Sequence, residues 1–157
     1  MTGMQTDAKG IVNALTVDVE EHFQVSAFAD VIPREDWESI PSRVDANVDR
    51  LLALFDERGV KGTFFVLGWV AERRPALVRK IADCGHEIAS HGYRHRLVYE
   101  QEPRDFREET RLSRRILQDA SGQPVLGYRA ASFSIGRVNL WALDVLAEAG
   151  CAYDSSV

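Results

Sequence analysis

A chain of 157 residues is long enough for one domain with a substantial core. Apolar residues make up 45% and charged residues 27%, the balance of an ordinary globular protein. With 24 acidic against 19 basic residues the net charge is −5, which argues against nucleic acid, whose binding needs a basic face. No apolar run approaches the ~20 residues that a membrane helix needs. Met1 to Ile11 carries Asp7 and Lys9 and no signal-like apolar stretch, so the expected compartment is the cytoplasm. Cys84 and Cys151 match no zinc or redox spacing and are expected as free, partly buried thiols.

After a tail over residues 1–10, Ile11 to Val19 reads as a first strand, β-branched toward its end. A polar loop with a short helix follows, marked by Pro33 and Pro41. Val44, Val48, Leu51, Leu52 and Phe55 fall at helical spacing, and Gly59 ends that helix. Gly62 to Val66 reads as the second strand, and Pro75 to Cys84 as a helix with proline in its first turn and Gly85 as its stop. Glu87 to Ser90 is a short third strand. Pro103 to Ala120 is a helix with Phe106, Ser113, Ile116 and Leu117 on one side, and Val125 to Arg129 a fourth strand. Val138 to Ala149 is a helix with Val138, Trp141, Ala142, Val145 and Leu146 inward, and Cys151 to Asp154 begins a fifth strand. Repeated βα units predict parallel strands with right-handed crossovers, and chemistry at the strand C-termini.

Polar clusters stand at those C-termini. His91 and His95, at i and i+4, can face one ion if the segment is a helical turn. Such a pair alone is unspecific, but this one directly follows a strand. Position 92 is glycine, so the glutamate that a zinc protease carries after its first histidine is missing. In Asp18-Val19-Glu20-Glu21, residues i and i+2 of a strand share a face, so Asp18 and Glu20 can look into one site. Glu21 reads as a solvated loop charge. Two histidines and one carboxylate with an open position are the usual form of a catalytic metal site.

Four segments carry a family resemblance: Thr16 to Glu20, Thr63 to Gly68, Gly85 to His95, and Gly127 to Ile135. In this order they resemble the polysaccharide deacetylase family (carbohydrate esterase family 4, the NodB homology domain). They look closest to the branch associated with bacterial exopolysaccharide loci. The resemblance implies an α/β fold, a deformed (β/α)7 barrel of the NodB type. It spans residues 11–157, which supply about five strands, so the barrel is expected to be incomplete. It also implies roles: Asp18 as catalytic base, Arg129 as the arginine that steadies it, and Glu20, His91 and His95 as ligands of a divalent metal, zinc foremost. Tyr93 and Asp154 are weaker candidates for substrate contact, Asp154 through a likeness of Tyr153 to Ser156 to the family's fourth motif. Many members have proline where this chain has Ala131.

The implied reaction is metal-assisted removal of N-acetyl groups from an N-acetylated polysaccharide, exopolysaccharide or chitin-like. The family's general acid is a histidine in a late motif. Of the four histidines here, two are metal candidates, His86 begins the third strand at the far end, and His22 reads as a loop residue. A non-catalytic fragment that binds metal and sugar is the alternative. A non-haem iron oxygenase with a two-His-one-carboxylate triad is a third reading, disfavoured because those enzymes are β jelly rolls. Phe23, Phe28, Trp37 and Trp69 read mainly as core. Open first and fifth strand edges are expected to invite self-association.

Overall fold

Short β-branched and aromatic runs form the sheet in the computed structural model, which describes residues 13–156. The tail over 1–10 and the first two residues of the first predicted strand lie outside them. β1 is Thr16–Val19, β2 Thr63–Val66, β3 Glu87–Ser90, β4 Gly127–Tyr128 and β5 Tyr153–Asp154. All pairings are parallel, and the spatial order is β1-β2-β3-β4-β5. A strand order that never reverses is how a barrel grows; a doubly wound sheet switches direction. The jelly-roll alternative is excluded, because that fold is antiparallel.

The helices cover one side of the sheet. They are α1 (Val44–Glu57), α2 (Gly68–Arg73), α3 (Pro75–Asp83), α4 (Pro103–Ser121) and α5 (Trp141–Glu148). One core cluster lies between β1–β3 and α1–α3 and includes Val48, Phe55, Phe64, Val66, Ile81 and Ile88. A second, with Phe106, Tyr128, Val145 and Leu146, joins α4 and α5 to β4. β1 and β5 each have one strand neighbour among the described residues.

Four local expectations change. β4 is shorter than Val125–Arg129, because the carbonyl of Val125 accepts from the Arg114 guanidinium (3.0 and 2.9 Å) instead of a strand. The helix expected from Val138 starts at Trp141, and Val138 is 87% exposed rather than inward. Asn139 holds the preceding loop instead: its Oδ1 accepts from Gly136 N–H and its Nδ2 donates to Ser134 O. The helix α2 carries no proline or cap signal and was not expected. Cys84 is exposed rather than partly buried, Cys151 is half-buried, and both are free.

Candidate metal centre

β1 and the residue just past it deliver two carboxylates, because side chains alternate along an extended chain. Val19 is buried and Val17 packs against the same core, which leaves Asp18 and Glu20 on the other face. Asp18 Oδ1 accepts from Arg129 Nη1 at 2.7 Å. Arg129 follows β4, is buried, and donates through Nη2 to Thr16 Oγ1 (3.1 Å) and Ser155 Oγ (2.8 Å). Its guanidinium also lies 4.0 Å from the centre of the Phe65 ring. Three partners thus fix one guanidinium against one carboxylate.

His91 and His95 converge through a loop, not through the helical turn expected from their spacing. Gly92 takes φ +78, a left-handed conformation that side-chain-bearing residues rarely adopt, and His95 itself has φ +50. The loop is held from outside. The carbonyls of Gly92 and Tyr93 accept from the N–H groups of Gly68 and Trp69, which open α2 (2.8 and 3.0 Å). Ser113 on α4 donates to Gly92 O at 2.9 Å. Gly68 permits this approach, since a Cβ there would meet the Tyr93 ring at 2.6 Å.

The Nδ1 atom of His91 lies 2.8 Å from Arg129 O. A backbone carbonyl only accepts, so Nδ1 carries the proton and Nε2 is free to bind an ion. His95 Nε2 lies 3.1 Å from Glu20 Oε2. That contact lacks hydrogen-bond geometry, and Glu20 Oε2 is a buried oxygen with no hydrogen-bond partner among the described residues. A buried, unpartnered carboxylate oxygen facing an imidazole nitrogen fits a shared ion. The candidate ligand atoms of Glu20, His91 and His95 all lie within 4.8 Å of one another. Two neutral imidazoles and a carboxylate suit a divalent transition metal.

Burial, and then the charge of Asp18, pushes the Glu20 carboxyl up to about 7. Burial, and then His91, pulls His95 down to about 4, and burial also lowers His91. Near neutral pH both rings are therefore neutral and ready to ligate, while Glu20 must lose a proton. Metal affinity is expected to fall by up to ~tenfold per pH unit below about 7 and to level off above it. Titrating metal from about pH 5.5 to about pH 8 checks this, and a flat profile would refute it.

The weaker candidates are hydrogen-bonded to their own surroundings. The Tyr93 hydroxyl donates to Glu72 Oε2 at 2.8 Å, on the α2 side of the loop. Asp154 accepts from the N–H and hydroxyl of Ser156 (2.9 and 2.7 Å). His86 is buried against Phe55 and Phe64, and its Nδ1 accepts from Gly62 N–H at 3.2 Å, at the opposite end of the strands. His22 is exposed beside Phe23. Phe23, Trp37 and Trp69 pack against one another with ring centres 5.6–6.2 Å apart, whereas Phe28 is exposed, not core. A cavity of about 450 Å³ opens beside His95, with Phe23, Trp37 and Arg34 in its wall.

Three residues escaped the sequence reading. Thr16 and Ser155 orient Arg129. Glu21 is buried rather than solvated: it accepts from the Ser42 hydroxyl and from the backbone N–H groups of Arg43 (3.0 Å) and Val44 (3.4 Å), at the start of α1. The missed signal is the lack of a local side-chain cap at that helix, whose N-cap is Arg43.

A family model described as polysaccharide deacetylase matches residues 30–153, most of the chain. That match begins after β1 and leaves Asp18 and Glu20 outside it. A chitooligosaccharide deacetylase from Bradyrhizobium sp. strain ANU 289 is 30% identical over 97 residues, 62% of this chain and 42% of that protein. A peptidoglycan deacetylase from Helicobacter pylori is 26% identical over 113 residues, 72% of this chain and 38% of that protein. A crystal structure from Mycobacterium smegmatis assigned to the polysaccharide deacetylases superposes with a TM-score of 0.73 at 34% identity, over 92% of this chain and 50% of that one. The chain thus spans half or less of the length of these three proteins.

Proposed function

Because this chain belongs to the polysaccharide deacetylase family, we propose that it hydrolyses N-acetyl groups of a polysaccharide, with a divalent metal held by Glu20, His91 and His95. The convergence of those three ligands beside the Asp18–Arg129 pair carries this reading. Zinc is a metal that two imidazoles and a carboxylate suit. A bound divalent ion supplies Lewis-acid polarisation of the acetamide carbonyl and lowers the pKa of bound water toward ~7.

The residues of the chain do the rest. Asp18 accepts a proton from the attacking water. Arg129, fixed by Thr16, Ser155 and Phe65, keeps that carboxylate aimed. Arg129 O holds the His91 proton on Nδ1 and so presents Nε2 to the ion. The cavity beside His95 has room for a sugar residue against Phe23 and Trp37. Relatives named for chitooligosaccharide and peptidoglycan support a polymer of N-acetylated amino sugars, exopolysaccharide among them.

The test is acetate release from N-acetylglucosamine oligomers, with and without zinc. Metal-dependent release supports deacetylation. A second reading, metal and sugar binding without turnover, is favoured by one observation: His86, one of the two histidines outside the metal site, lies at the opposite end of the strands, where its Nδ1 accepts from Gly62 N–H. Metal and oligosaccharide binding with no acetate released selects that reading, and no metal binding refutes both.

A further inference from the structure

Glu21 is the one buried acidic residue among those described, at 2% exposure, and it has no cationic partner within salt-bridge distance among them. An isolated buried carboxylate is costly unless hydrogen bonds compensate it. Here the compensation is the N-terminal end of α1 and the two residues before it: the Ser42 hydroxyl, Arg43 N–H and Val44 N–H all donate to it, at the positive end of the helix dipole. Its own backbone is equally fixed. Glu21 N–H donates to Gln24 Oε1 at 2.8 Å, and Gln24 N–H donates to Glu21 O at 2.9 Å.

The residue before it is Glu20. The peptide on one side of Glu20 is held where Val19 O accepts from Leu67 N–H at 3.2 Å, and the peptide on the other side where Glu21 N–H meets Gln24. Glu20 lies just past the last residue of β1, so no strand pairing of its own fixes it. A cap alone could come from a local serine or aspartate two residues before the helix interior. A buried anion more than twenty residues upstream, next to a metal-binding carboxylate, does something that a local cap cannot.

We propose that Glu21 is a positioning residue for the metal ligand Glu20: it clamps the end of β1 to the N-terminus of α1 and so fixes where Glu20 points. This rests on the metal centre proposed above. Two adjacent glutamates thereby divide the work, one facing the ion and one facing the helix.

Zinc affinity, measured by competition with a chromophoric chelator, and the visible spectrum of the cobalt-loaded chain test it. Glu21→Gln keeps the shape and loses the charge. It is expected to weaken zinc binding by about tenfold, the low end of the range for groups that bond a ligand directly, and to alter the cobalt spectrum at saturation. Ser42→Ala is expected to shift affinity in the same direction by less. Arg114→Ala, which removes bonds to the carbonyls of Val125 and Gly150 far from the site, is expected to lower the melting temperature and leave affinity unchanged. A folded Glu21→Gln chain with wild-type affinity and spectrum overturns the proposal. So does an equal loss in Arg114→Ala, since the effect would then be stability alone. If Glu21→Gln does not fold, Ser42→Ala decides, and wild-type affinity there overturns it. A wild-type chain that binds no zinc, or whose binding ignores His91→Ala, sinks the metal centre and this proposal together; a wild-type chain that binds zinc separates the two.

Discussion

His91→Ala is expected to strip the chain of its metal, with affinity falling by more than ~100-fold. Loss of an outer partner of a ligand already costs 10–100-fold, so loss of the ligand itself must exceed that range. His91 is well placed for so large an effect. Its ring is buried at 2% exposure, so water cannot readily replace the lost nitrogen. Its Nδ1 proton is committed to Arg129 O, so the imidazole is pre-oriented and little ordering is left to be done on binding. The fold should survive. His91 lies beyond the end of β3 and outside both core clusters, and the main structural loss is the partner of one carbonyl, ~1–3 kcal/mol. Metal content after dialysis, read beside the far-ultraviolet circular dichroism, gives the answer. Equal stoichiometry in wild type and His91→Ala would remove the site. His95→Ala should behave alike, and Tyr93→Phe should not, because the Tyr93 hydroxyl is spent on Glu72.

What the sequence made legible follows the range of the forces involved. Strand alternation is local, so Val19 inward with Asp18 and Glu20 on the other face could be read from four letters. Glycine stops and helical spacing are also local, which is why α1, α3 and α4 lie close to where they were expected. Long-range contacts left weaker traces. The spacing of His91 and His95 suggested a helical turn, yet two positive φ angles and the N–H groups of Gly68 and Trp69 build a loop there instead. The Val125 carbonyl looked like part of a strand until Arg114 claimed it from α4. Glu21 resembled any surface acid because its partners, Ser42 to Val44, are more than twenty residues away. The sequence pattern put forward the candidate ligands, which the structure brings together; it could not show the groups that aim them.

Asp18→Asn is expected to keep the metal and to lower acetate release by ~10²–10⁴-fold, the usual contribution of a positioned proton acceptor. The substitution is nearly isosteric. The asparagine carbonyl can still accept from Arg129 Nη1, so the guanidinium keeps its other bonds to Thr16 and Ser155 and the β4 end stays in place. What is lost is the negative charge and the capacity to take a proton from water. The same loss acts on Glu20 with the opposite sign. Asp18 is one of the two causes that push the Glu20 carboxyl up to about 7. Removing its charge lowers that value and leaves more Glu20 ionised just below neutral pH, but it also removes an attraction for the cation, so the two effects oppose and the metal should be retained. The variant therefore predicts two results that separate: turnover falls steeply while the metal is kept. Steady-state acetate release at saturating metal, set beside a zinc titration at about pH 6.5, measures both. Loss of metal in Asp18→Asn would mean that Asp18 ligates the ion and Glu20 serves as the base. Unchanged turnover with metal retained would place the proton acceptor outside the Asp18–Arg129 pair.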